Sequence, residues 1–208
     1  MDLAGALILL VLGFMVGISG ALMPGPLLVY TIQESFRRGK WTGILVIAGH
    51  AIVEVFIFVA IMLGLSEFMT SRAFTTSVSV LGGIALILMA ASTYRTAGEK
   101  PGNTPVKQKY GTIVGGIIFT AFNPGFPLWW ATAGTRLMME GLERMGFAGM
   151  LLVFLGHWGA DLGWFTLVSM LTAGGSKTIF EKGWYRGIRI ILSIALLALG
   201  IYFLSTAF

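Results

Sequence analysis

Ala21-Leu22-Met23-Pro24-Gly25-Pro26-Leu27 returns later in the chain as Ala121-Phe122-Asn123-Pro124-Gly125-Phe126-Pro127. Each proline-glycine break lies inside a long apolar run. Proline in a helix interior removes a backbone hydrogen bond and clashes with the preceding turn, so both helices are expected to break there. The next apolar run of each half carries a second echo, Gly49-His50-x-x-x-Glu54 and Gly156-His157-x-x-x-Asp161. The chain has 2 histidines, and they occupy these matching places. Gly39 and Gly146 precede them at the same offset. The chain therefore reads as two copies of a three-helix unit. Three is an odd number, so the second copy enters a membrane from the opposite side. The result is an inverted repeat with a pseudo-two-fold axis in the membrane plane, an arrangement typical of secondary transporters.

Composition agrees with a membrane setting. Of 208 residues, 56% are hydrophobic and 11% are charged, against about 25% charged in a soluble domain. That deficit excludes an ordinary soluble globule, a disordered chain and a nucleic-acid binder. Six runs reach the roughly 20 residues that a spanning helix needs: 3–32, 41–66, 74–93, 110–133, 146–173 and 188–208. They are continuous rather than alternating, which argues against a β-barrel. The fold class is thus an all-α integral membrane protein in a single transmembrane domain, 1–208. Repeat one covers about 1–97, a cytoplasmic linker 98–109, and repeat two about 110–208. The 29 glycines suit closely packed membrane helices. With no cysteine, disulfides, thiolate metal sites and dithiol redox chemistry are excluded. No cofactor is expected.

Basic residues orient the spans. The first, third and fifth loops hold eleven of the Lys and Arg residues: Arg37, Arg38, Lys40, Arg95, Lys100, Lys107, Lys109, Lys177, Lys182, Arg186 and Arg189. The second and fourth hold three: Arg72, Arg136 and Arg144. Loops one, three and five are expected in the cytoplasm, with both termini outside and the chain in the plasma (inner) membrane.

Both breaks fall near the midplane when counted at about 1.5 Å per residue. Pro24 lies 13 residues before Arg37, and Pro124 lies 12 before Arg136. Freed backbone at that depth must face protein or a water-filled cavity. The half-helices that start at these breaks point their N-termini, with partial positive charge and free N–H groups, at the midplane. Pro24, Gly25, Pro26, Asn123, Pro124 and Gly125 are therefore candidate substrate-binding residues, the seat of a carboxylate. Asn123 also suits a helix cap. Trp129 and Trp130 suit either a cavity wall facing a substrate ammonium or an interface anchor. Gln33 and Glu34 read as a solvated helix end, with a cytoplasmic gate as the alternative.

Glu54 and Asp161 also fall close to the bilayer centre: Glu54 is 14 residues from Lys40, and Asp161 is 17 from Arg144. A charge there costs about 3 kcal/mol or more and normally marks a pathway or relay. His50 and His157 precede them at i, i+4, on the same helical face, where each pair can share a proton or a cation. These four are the candidate proton-coupling or cation-binding residues. They also form a His/carboxylate set suited to a divalent ion such as Zn²⁺, so divalent metal export is the alternative function. An intramembrane metal hydrolase fits poorly, with no His-Glu-x-x-His motif and no third histidine. The chain is not expected to be an enzyme.

Met23-Pro24-Gly25-Pro26, then Arg38-Gly39-x-x-x-Gly43, then Gly49-x-x-x-x-Glu54, followed by Asn123-Pro124 and Asp161, resemble the lysine exporter family of amino-acid efflux transporters. The resemblance covers most of the chain. It implies a small integral membrane exporter of amino acids, driven by an ion gradient. It also implies frequent oligomerisation, with a homodimer among the expected assemblies. Two departures stand out: Glu54 takes the place of the family's usual Asp, and Gly125 that of the lysine in its Asn-Pro-Lys. The two carboxylates then lack a lysine to balance them, which favours a zwitterionic or cationic substrate over an anion. The combined reading is a proton-coupled, alternating-access exporter of amino acids or related small amine-bearing solutes. Its partners are that solute, the coupling proton or cation, and the lipid bilayer.

Overall fold

In lipid every backbone N–H and C=O must be satisfied within the protein, so continuous apolar runs become helices. The computed structural model describes residues 3–23, 25–99, 110–181 and 184–207, and all regular structure among them is helical. In order these are α1 (Leu3–Ala21), α2 (Pro26–Arg38), α3 (Thr42–Met62), a short α4 (Ser66–Thr70) and α5 (Arg72–Arg95). Then come α6 (Tyr110–Ala121), α7 (Gly125–Trp129), one π-helical turn (Trp130–Gly134), α8 (Thr135–Glu181) and α9 (Tyr185–Ser205). Pro24 and positions 100–109 of the linker lie outside the described residues.

Among the described residues, five helical stretches are long and apolar enough to cross a membrane: Leu3–Ala21, Thr42–Met62, Arg72–Arg95, Gly125–Ser176 and Tyr185–Ser205. The protein is a multi-pass membrane protein, and large apolar side chains such as Leu7, Phe56, Leu88 and Ile191 point outward as a lipid-facing coat.

The fourth stretch contains a reversal. Met145 (φ −142°) and Gly146 (φ 62°) leave helical space, and beyond them Gly149 presses back on the Gly141 backbone. The sequence suggests a loop between 133 and 146. The helix instead continues to the edge of the reversal, because Arg136 and Arg144 pair with Glu140 one turn away on each side. Two residues then suffice to turn the chain. Gly146 takes a positive φ that a side chain would resist. Gly39, which matches it in the first half, takes φ 91° at the α2–α3 turn.

Glycines also set the helix contacts. A Cβ on Gly13 would strike the Val153 carbonyl, and one on Gly156 the Leu10 carbonyl, so α1 lies directly on the second arm of α8. In the other half, a Cβ on Gly49 would strike the Ile113 carbonyl and one on Gly116 the Val46 carbonyl, so α3 lies on α6. Each histidine-bearing helix thus rests on the first helix of the opposite half.

One end of the bundle is tied shut by polar contacts. Ser35 donates to Ser169 (3.0 Å), the Gln33 amide to Thr93 (3.2 Å), and Ser193 to the Ala90 carbonyl (3.1 Å). Glu34 is buried here and accepts from Arg37 at 2.6 Å and from Arg38. The reading of Gln33 and Glu34 as a solvated helix end is therefore corrected. The α2 terminus packs inward, and its own two arginines supply the charge that lets Glu34 leave water.

Candidate functional site

The two breaks occur where the sequence places them. α1 ends at Ala21, and α2 begins at Pro26 with Gly25 as its extended N-cap and no side chain capping it. Pro26 has no N–H to lose at the first helical position. α6 ends at Ala121, and Asn123 Oδ1 accepts the Gly125 N–H at 3.1 Å, the cap its amide suggests. Between the breaks lies a cavity of about 600 Å³. Gly25, Pro26, Asn123, Pro124, Gly125 and Trp129 line its middle. Thr70, Thr75, Ser79, Tyr202 and Thr206 line it toward the end opposite the α2 arginines. None of residues 29–49 lines it.

At its deep end stand His50, Glu54, His157 and Asp161, all buried. α3 contributes the first pair and α8 the second. Glu54 is completely buried and is the hub. Its Oε2 accepts the Trp158 indole N–H at 2.7 Å. Its Oε1 accepts the Trp130 indole N–H at 3.2 Å, and lies 2.8 Å from His157 Nε2 and 3.1 Å from His50 Nε2. Asp161 Oδ2 is 3.1 Å from His157 Nε2 and 3.7 Å from His50 Nε2. It lacks the alignment of a hydrogen bond to either and has no other partner among the described residues.

The sequence separates the two histidine pairs by a hundred residues, and the fold brings them into one cluster. Aromatic rings seal it: Trp129 stacks on the His157 ring (centroids 4.9 Å, planes 26° apart), and Phe126 meets His50 edge-on at 5.3 Å. Trp129 and Trp130 thus face the cavity, not a membrane interface.

Three partners were not legible as such. Trp158 sits beside His157, but its N–H reaches Glu54 on another helix. Trp130 stands out in sequence only as half of a tryptophan pair. Thr120, whose Oγ1 is 2.8 Å from His50 Nδ1, carries one weak signal, a hydroxyl one turn before the α6 break.

A family model for LysE type translocators matches residues 18–207. The chain belongs to the LysE type translocator family. The match takes in both breaks, both histidine pairs and the cavity-lining ends of α5 and α9. It places the protein among membrane translocators that export small solutes, a transport family and not an enzyme family. No curated protein and no solved structure matches the chain.

Proposed function

We propose that this LysE type translocator is a secondary active exporter of amino acids or related small amine-bearing solutes, coupled to protons and working by alternating access in the plasma membrane. One observation carries the reading: four ionisable side chains from matching positions of the two halves converge at the deep end of a cavity between two broken helices.

The parts divide the work. The uncapped α2 N-terminus faces the cavity at Gly25 and Pro26, and its first-turn N–H groups suit a substrate carboxylate. Trp129 and Asn123 stand across from it, an aromatic face and an amide for the amine end. Glu54 and Asp161, flanked by His50 and His157, take the coupling proton or cation. A carboxylate that exchanges a proton while its helix moves ties solute flux to the gradient.

The repeat supplies the motion. With the reversal at Gly146 counted as a turn, and α6 joined to α7 across the break, the chain forms six spans in two inverted halves. Matching glycine turns at Gly39 and Gly146, and reciprocal packing of α1 on α8 and α3 on α6, support that symmetry. The cavity lining reaches Thr70, Tyr202 and Thr206 and includes none of residues 29–49 on the arginine-rich α2 side, so on the positive-inside orientation this conformation faces outward, with both termini outside.

Export from proteoliposomes loaded with single amino acids under an imposed pH gradient tests the reading. Gradient-dependent flux should vanish in Glu54→Gln and Asp161→Asn while both variants stay folded. Full flux in both would sink it.

A further inference from the structure

Beyond a coupling proton, we infer that His50, Glu54, His157 and Asp161 form a tetrahedral binding site for a borderline-soft divalent cation of the Zn²⁺ class. The cation would be held by both Nε2 atoms and one oxygen from each carboxylate. The inference stands on the cage alone and does not need the substrate to be an amino acid.

Spacing is the first argument. Zn²⁺ bound by nitrogen and oxygen at about 2.0–2.1 Å requires ligand atoms about 3.3 Å apart at the corners of a tetrahedron. The four nitrogen–oxygen edges here are 2.8, 3.1, 3.1 and 3.7 Å. The other two edges, nitrogen to nitrogen and oxygen to oxygen, are at most 4.8 Å and would close toward the tetrahedral value as the ligands draw in on the ion. Helical pairs at i, i+4 set two of the nitrogen–oxygen edges, and the approach of α3 to α8 sets the other two.

The outer partners are the second argument. A ligating histidine usually donates its other N–H, which fixes the tautomer with a lone pair toward the metal. His50 has Thr120 at Nδ1 in that role, at 2.8 Å. Glu54 is held by the Trp130 and Trp158 N–H groups, which fix its orientation as metal-bound carboxylates are fixed. Asp161 Oδ2 remains buried without a hydrogen bond, and a cation at the cage centre would satisfy it. Charge agrees, since two carboxylates with two neutral imidazoles carry minus two, and one dication neutralises them. The two-nitrogen, two-oxygen set disfavours Mg²⁺ and Ca²⁺, which take oxygen ligands in larger numbers. Because the ligands come from α3 and α8 in equal share, a bound cation pins these helices together and should block transport.

The test uses the full chain in detergent, purified on a histidine-free tag and treated with chelator. Titration with Co²⁺ alone should produce the intense visible absorption of tetrahedral coordination at one equivalent per chain, bleached by Zn²⁺ and not by Mg²⁺. His157→Gln and Asp161→Asn should abolish it. Thr120→Val, which leaves every ligand in place, should weaken affinity by about 10–100-fold. An octahedral spectrum, no binding by the folded wild type, or binding undiminished in Asp161→Asn would overturn the inference. Amino-acid flux in chelator is scored separately, so its loss or survival tells nothing against the cage.

Discussion

The His50 half and the His157 half repeat one motif and treat it differently. His50 Nδ1 rests on Thr120 at 2.8 Å. His157 Nδ1 is buried with no hydrogen-bond partner among the described residues, facing the bare backbone of Gly17. Glu54 accepts from two indoles and lies 2.8 Å from His157 Nε2, while Asp161 leaves Oδ2 unpartnered. Both anchored members, His50 and Glu54, therefore lie on α3, and the two left with an unpartnered atom, His157 and Asp161, lie on α8. The two matching motifs deliver their side chains to one place, and neighbours outside the motifs anchor one pair and leave the other able to respond. An ion-coupled site needs both properties, since a group held at full strength by the protein has little to offer a ligand.

The largest break in this contrast should come from Glu54→Ala against Asp161→Ala. Removing Glu54 strands two indole N–H groups, that of Trp130 buried and that of Trp158 part-buried, at a cost of about 1–3 kcal/mol for a fully buried one, so a melting experiment in detergent should show a large drop. Asp161→Ala strands no indole and should fall less. Equal losses would mean that the two carboxylates are equivalent after all. Trp158→Phe comes next. It removes the shorter of the two indole bonds, a hydrogen bond to a carboxylate worth about 1.5–3 kcal/mol. Its effect on stability should exceed that of Trp130→Phe, whose bond is longer (3.2 against 2.7 Å).

What was readable in the sequence follows from range. The breaks, the intramembrane carboxylates and the i, i+4 histidines are local patterns with local causes: a missing N–H, a charge in an apolar run, a shared helical face. The sequence groups Glu54 with Asp161 by their matching motifs, and only the packing of α3 against α8 brings the two side chains together. The partners Trp158, Trp130 and Thr120 obey no repeat. At the position where α6 carries Thr120 against His50, α1 carries Gly17 against His157. Glu34 misled for a similar reason. A glutamate beside two arginines at a helix end looks solvated, and only tertiary packing tells that α2 turns its last residues inward. The loop expected before residue 146 misled because a reversal of two residues leaves no polar stretch to read.

Helix contacts offer a sharper probe of the same symmetry. Gly156→Ala would press a methyl into the Leu10 carbonyl on α1, and Gly49→Ala into the Ile113 carbonyl on α6. Overpacking of this kind costs about 1–3 kcal/mol. The two should lose stability to a similar degree, because backbone packing is the part of the repeat that both halves keep. Gly174→Ala, which meets nothing within 4 Å, is the control and should hold or gain stability.

The smallest effect should fall on the partner that distinguishes the histidines. Thr120→Val keeps the shape of the side chain and removes the hydroxyl at His50 Nδ1, a net loss of about 1 kcal/mol. Thr120→Ser restores the oxygen and should recover it. The result has force through its counterpart. A Cβ at Gly17 would lie 2.7 Å from His157 Nδ1 and 2.9 Å from the His157 Cα, so no hydroxyl can be grafted there without moving the ring or the helix. The second half thus lacks an anchor because α1 packs too closely to hold one, not because a threonine is missing. If Thr120→Val makes nitrogen chemical shifts of the His50 ring resemble those of His157, the anchor is the source of the difference. If the two rings stay distinct, the asymmetry lies in the Glu54 side of the cluster, and Trp158 becomes the residue that separates the halves.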